Sequence, residues 1–97
     1  MDRKLYLINL YDYYGDLFTA KQQEYFSDYY LNDLSLSEIA ENNGVSRNAI
    51  HGQLKNTTDK LEEYELILKL YEKGLKLREL INTINDKELQ KKLEILI

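Results

Sequence analysis

The chain has one histidine, His51, and no cysteine, so any catalytic or metal chemistry would have to be assembled from that imidazole, carboxylates and tyrosines. No second histidine and no acidic residue stands one helical turn from His51, which makes it a surface helix residue rather than an acid–base group. The pair Glu62-Glu63 lies beside Lys60 and near Lys69, as on a solvated, ion-paired helix face. The sequence has no glycine-rich phosphate loop and no metal-ligand spacing, and no cofactor is implied. These absences leave little basis for an enzyme. What remains is a short polar set, Ser46, Arg47, Asn48, His51, Gly52 and Lys55. Arginine can bond guanine in bidentate fashion, asparagine can bond adenine, and lysine can meet a phosphate. Ser46 and the first backbone amides after it can meet another phosphate. The same residues would equally suit a solvated face on a helical hairpin kept for packing.

Those residues need a scaffold that sets them in one row. Leu36-Ser-Glu-Ile39-Ala40-Glu-Asn-Asn-Gly44-Val45-Ser46 followed by Ile50 and Leu54 has the register of two helices crossing at a tight turn. Ala40 is small where the helices meet, Gly44 permits the positive φ of the turn, and Ile39, Val45, Ile50 and Leu54 are expected to fill the shared core. Ser46 is the expected N-cap of the second helix. Upstream, a first helix is expected from Lys4 to about Tyr14, with Leu5, Ile8 and Tyr11 or Asp12 at helical spacing and Gly15-Asp16 as its stop. Thr19-Ala-Lys-Gln22 and Ser35-Leu-Ser-Glu38 are capping boxes. The first opens a helix whose stripe is Gln22, Tyr25, Phe26, Tyr29 and Tyr30, read as core packing rather than base stacking.

After Ser46 no proline or strong breaker occurs for more than thirty residues, which predicts one long helix. Ile50, Leu54, Thr57, Leu61, Tyr64, Leu68, Tyr71 and Leu75 recur in alternating steps of four and three, the pattern of a helix–helix seam. Ile67, Leu70, Gly74, Leu77, Ile81 and Ile84 form a second seam beside it, so the distal half needs contacts on two sides. Tyr64, Ile67, Leu68, Tyr71 and Leu75 are the candidate interface of a homodimer. Gly74 is either a bend or a point of close approach. Asn85-Asp-Lys-Glu88 should cap a short closing helix with Leu89, Leu93 and Leu96 on its apolar face. The expected architecture is all-α with five helices: a tri-helical helix-turn-helix core over residues 1–60, and a helical extension over 61–97.

The 97 residues suffice for one domain, and the balance of 43% hydrophobic and 31% charged residues is that of a soluble globular chain. Neither a cleavable signal nor a membrane span is readable near the N-terminus, and the lack of cysteine suits a reducing compartment, so the cytoplasm is the expected location. Net charge is −4. Residues 1–45 hold three basic and eight acidic side chains, net −5, while residues 46–97 hold ten and nine, net +1. Any nucleic-acid face must therefore lie in the second half.

The helix order, the stripe Tyr25-Phe26-Ser-Asp-Tyr29-Tyr30-Leu31, the segment Leu34-Ser-Leu-Ser-Glu-Ile-Ala-Glu, the Val45-Ser46-Arg47 turn and Leu61-Glu-Glu-Tyr64-Glu together resemble the YlxM-like proteins of bacteria. Residues 17–60 also resemble region four of sigma factors, which recognises promoter DNA. The resemblance covers nearly the whole chain. It implies a wingless helix-turn-helix fold of the sigma region four kind. Genes of YlxM-like proteins lie beside those for the signal recognition particle GTPase and its receptor, which implies a role in that secretion pathway. Three functions stay open: a regulator reading duplex DNA through Arg47, Asn48, His51 and Lys55, an accessory factor contacting the signal recognition particle RNA or GTPase, and an oligomeric adaptor.

Overall fold

A computed structural model describes residues 2–97. Among them there are six α-helices and no strand: α1 Arg3–Tyr14, α2 Ala20–Phe26, α3 Leu36–Asn43, α4 Arg47–Leu68, α5 Leu70–Asn82 and α6 Lys87–Glu94. A 3-10 turn, Gly15–Leu17, joins α1 to α2, and a π turn, Ser27–Leu31, follows α2.

Both predicted capping boxes are formed. Thr19 Oγ1 accepts from the Gln22 amide at 3.2 Å while Gln22 Oε1 accepts from the Thr19 amide at 2.9 Å. Ser35 and Glu38 make the same exchange at 3.1 and 3.2 Å. Each box gives partners to amides that the first helical turn leaves unbonded.

The core is two aromatic and aliphatic clusters packed along α4. Leu10, Tyr14, Phe18, Phe26 and Leu61 form one, and Tyr25, Ile39, Ala40, Ile50 and Leu54 form the other. Tyr11 stacks on Phe26 at 4.1 Å and Phe26 on Tyr30 at 4.6 Å, so α1 is joined to α2 and its π turn by a column of rings. The tyrosine stripe is thus packing surface, as its spacing indicates.

Local periodicity misplaces the face of α1. Leu7, Leu10 and Tyr14 are the buried residues, while of the expected stripe Leu5 and Asp12 are exposed and Ile8 and Tyr11 pack half-buried at the edge of the core. The segment is apolar nearly all round, so the partner helix rather than the pattern decides which side turns in. Val45, expected in the shared core, is 42% exposed. It sits on the outside of the Gly44 turn, at the rim of a cleft between α2 and α4.

The long helix is also interrupted. α4 ends at Leu68, Lys69 takes φ 56° and ψ 31°, and α5 begins at Leu70. The break is held by two side chains, Glu65 from the last turns of α4 itself and Tyr14 from the end of α1. Tyr14 Oη donates to Glu65 Oε1 at 2.6 Å and accepts from the Leu70 amide at 3.0 Å. The Glu65 carboxylate accepts from the amides of Tyr71 at 3.0 Å and Glu72 at 3.1 Å. Together they bond the first three amides of α5, the groups a new helix leaves without partners.

Gly74 is a close approach, not the bend: a Cβ there would collide with the Tyr13 hydroxyl and lie 3.2 Å from its Cζ. At the last helix, Asp86 rather than Asn85 is the N-cap, accepting from Glu88 at 3.0 Å and Leu89 at 3.2 Å. Leu93 is half-buried, while Leu89 and Leu96 are exposed. The molecule is elongated, 54 × 25 × 24 Å, with a radius of gyration of 16.7 Å. A compact chain of this length would have about 13 Å.

Candidate nucleic-acid interface

The α3–α4 corner is built by backbone geometry. Gly44, at φ 65°, ends α3 in the left-handed conformation. The Val45 amide reaches back to the Ala40 carbonyl at 3.1 Å and the Gly44 amide to that of Glu41 at 3.3 Å, the paired bonds of a Schellman end. Ser46 Oγ then accepts from the Ala49 amide at 3.1 Å and opens α4. A side chain at position 44 would strain this corner, because its φ lies where L-residues other than glycine pay a steric penalty.

From that start, α4 carries Arg47, His51 and Lys55 in a row at successive four-residue steps, with Asn48 and Gly52 beside them. Ser46, Arg47, Asn48, His51 and Lys55 are exposed, and Gly52 is half-buried. The predicted site residues thus share one face. Its charge is weaker than its composition implies. Lys55 Nζ lies 2.9 Å from Asp59 Oδ2, one turn further along, while Arg47 makes no ion pair among the described residues. Two clefts flank the row. One, of about 300 Å³, is lined by Tyr29, Tyr30, His51, Lys55 and Arg3, whose guanidinium pairs with Glu62 at 2.7 Å. The other, of about 390 Å³, runs between the start of α2 and the start of α4 and is lined by Lys21, Gln22, Val45, Ala49 and Gln53.

Lys21 was not legible as part of this face. Its ammonium bonds Asn43 Oδ1 at 3.0 Å and Glu24 at 3.2 Å, and sits 5.6 Å from the Tyr25 ring centre. Sequence shows Lys21 as an isolated cation within an acidic half, and the fold brings it beside the first turns of α4.

Gly52 has open space around the position a Cβ would take. Glycine in a helix interior costs about 1 kcal/mol relative to alanine, and no packing within the chain demands it here. A smooth backbone beside an exposed polar row permits close approach by another molecule.

The candidate dimer residues divide. Tyr64 packs at 5.9 Å from the rings of both Tyr14 and Phe18, and Tyr71 lies edge-on to Tyr6 at 5.8 Å. Both therefore serve the chain's own aromatic core. Ile67, Leu68 and Leu75 are exposed. An open cavity of about 870 Å³ lies at the α4–α5 corner, lined by Tyr6, Leu66, Tyr71 and Leu75 with Asp59, Glu62, Glu63 and Glu72 on its walls.

Tyr14, buried against Glu65, has its proton held well beyond the ordinary phenol range. Burial, with the hydrogen bond to Glu65 second, pushes the Tyr14 phenol up from 10.0 to about 12. Glu65 sits in a charged run that reads as solvated surface, so nothing in its neighbourhood marks it as a cap. Its function here is structural: every polar side-chain atom buried among the described residues has a hydrogen-bond partner. Among the described residues there is no cluster of three or more histidine, cysteine or acidic side chains fit for a metal. Among the described residues no helix is long and apolar enough to cross a membrane.

Comparison with known proteins gives a consistent result. The UPF0122 family model, described as "Putative helix-turn-helix protein, YlxM / p13 like", matches residues 1–96. The UPF0122 protein of Ureaplasma urealyticum serovar 10 is 50% identical over 93 residues, covering 96% of this chain and 94% of the relative. That of Geobacillus sp. WCH70 is 44% identical over 91 residues, covering 94% and 83%. That of Staphylococcus epidermidis is 44% identical over 86 residues, covering 84% and 78%.

Proposed function

From the premise that the chain belongs to the UPF0122 family of YlxM-like, non-catalytic helix-turn-helix proteins, we propose that it is a cytoplasmic regulator of the signal recognition particle pathway that acts by binding nucleic acid. Its contacts are Ser46, Arg47, Asn48, His51, Gly52 and Lys55 on the first turns of α4. The observation that carries this reading is the exposed row Arg47, His51 and Lys55 behind a Schellman corner, flanked by a glycine that packing does not require. Arg47 and Asn48 meet base edges, and Lys55, with Lys21 on the neighbouring helix, meets phosphates. Residues 1–60 form the reading core, residues 61–97 its extension, and the whole chain folds as one unit. Two copies pair through the extension, with Ile67, Leu68 and Leu75 as the exposed members of a surface that Tyr64 and Tyr71 support from within.

Fluorescence-anisotropy titrations at two salt concentrations test this, with signal recognition particle RNA and a duplex from the protein's own operon as probes. Salt-sensitive binding to either, lost in the Arg47→Ala/Lys55→Ala double variant, is the expected result. A second reading is supported by the Lys55–Asp59 pair and the −5 charge of residues 1–45: an accessory factor that docks on the particle's GTPase without nucleic acid. Absence of binding to both probes, together with a change in GTPase rate on addition of the protein, would favour that reading over the first.

A further inference from the structure

The α4–α5 junction combines features that conflict within one closed chain. The apolar repeat Leu61, Tyr64, Leu68, Tyr71, Leu75 runs through it in unbroken register, as for a continuous helix. The residue that breaks the helix is a lysine, a good helix former, held at φ 56° where only glycine and asparagine rest easily. Leu66 is 75% exposed, Ile67 68% and Leu68 44%, a run of three apolar side chains facing water at the break itself.

The hydrogen bonds of the junction can be exchanged without loss in number. In the closed chain the amides of Leu70, Tyr71 and Glu72 bond Tyr14 Oη and the Glu65 carboxylate. The carbonyls of Leu66, Ile67 and Leu68 are among the last of α4 and have no partner within it. Turning Lys69 into the right-handed helical region lets those three amides bond those three carbonyls, since each pair is four residues apart. Tyr14 Oη still donates to Glu65. Straightening costs the docking of α5 on α1, where Tyr71 meets Tyr6 and Tyr13 and Gly74 receives the Tyr13 hydroxyl. An identical α5 from another chain restores those contacts.

We infer that the arm formed by α5 and α6 exchanges between two copies of this chain, with Lys69 as the hinge and the α1 face at Tyr6, Tyr13 and Gly74's seat as the site that the second copy's arm occupies. The occupant is fixed by the contacts just described, because that site is complementary to α5 of this sequence. A short strained hinge favours such exchange. The straightened helices bring Leu66, Ile67 and Leu68 of two chains together, which buries the surface the closed chain leaves in water. The inference rests on the pairing of two copies proposed above and specifies how they pair.

Isotope-filtered NMR on an equimolar mixture of labelled and unlabelled full-length chains, with sedimentation of the same sample, tests it. A dimer with cross-chain contacts from Tyr6 to Tyr71 is the expected result. A dimer in which those contacts stay within one chain overturns the exchange and leaves pairing intact, and a monomer at every concentration overturns both. Lys69→Gly gives an independent check, because glycine relieves the left-handed strain and disfavours the straight helix. It should weaken dimerisation on the order of 100- to 1,000-fold, counting both hinges, while Lys69→Ala should leave it unchanged or tighter. Equal dimerisation by the two variants would also overturn the hinge assignment.

Discussion

Tyr14 Oη lies 2.6 Å from Glu65 Oε1, and through this bond the last residue of α1 determines where α5 begins. The phenol donates to a carboxylate that caps two amides and itself accepts from a third, so one pair of side chains, 51 residues apart in sequence, sits at the end of α4 and caps the start of α5. Removing either partner should be felt at α5 before anywhere else.

Tyr14→Phe keeps the ring's packing and deletes the hydroxyl. It leaves the Leu70 amide and one lone pair of Glu65 without their partner, for an expected loss of about 1–3 kcal/mol. Urea denaturation followed by circular dichroism measures it, and hydrogen exchange should show the amides of residues 70–72 losing protection first. A loss below about 0.5 kcal/mol would mean water replaces the hydroxyl.

The same pair sets an alkaline limit. The folded protein holds the Tyr14 proton more tightly than the unfolded chain, with the phenol raised from 10.0 to about 12. Its contribution is complete below about pH 10 and is lost as pH rises toward about 12, a change of about 2–3 kcal/mol. Burial also raises Tyr6 and Tyr30, which adds a trend of the same sign. The steepness that disappears in Tyr14→Phe is therefore the quantity to compare.

Gly74→Ala should destabilise by about 1 kcal/mol or more, because the collision with Tyr13 outweighs alanine's helical advantage. In a Tyr13→Ala background the same change should instead stabilise by up to about 1 kcal/mol. A double-mutant cycle by thermal melting reads this reversal of sign, and additive effects would show that Tyr13 is not what requires the glycine.

Gly52→Ala should behave in the opposite way. With open space around its Cβ, it should stabilise the fold by about 1 kcal/mol while weakening nucleic-acid binding if the α4 face is the contact surface. Greater stability with unchanged affinity would move the contact away from Gly52.

Asp59→Asn frees the Lys55 ammonium from its 2.9 Å partner. Stability should change by less than about 1 kcal/mol, since the pair is exposed. Affinity for a nucleic-acid probe should rise severalfold, with a steeper salt dependence, if Lys55 contacts phosphate. Affinity that stays flat would remove Lys55 from the contact set.

The parts of the fold legible in the sequence are those fixed by short-range chemistry. Thr19-Gln22, Ser35-Glu38, Gly44 and Ser46 each act within a few residues, and each stands where its spacing places it. The exposed row of α4 follows from the same local register. The face of α1, the position of Val45 and the break at Lys69 depend on partners far along the chain. Apolar periodicity on α1 is satisfied by several faces, and only docking selects Leu7, Leu10 and Tyr14. Nothing near Lys69 signals a stop, because the residues that cap the next helix are Glu65 and Tyr14, one hidden in a charged run and one among nine tyrosines. Asp86 caps in place of Asn85, a one-residue shift within reach of either side chain.

The capping of α5 from α1 also sets an order in time. The α3–α4 corner closes through contacts a few residues apart, which form fast. The first turn of α5 waits for a bond to Tyr14, 56 residues upstream from Leu70. As the chain leaves the ribosome, the corner and its polar row can be complete while α5 and α6 are still emerging, so the exposed face of α4 matures ahead of the arm that docks on α1.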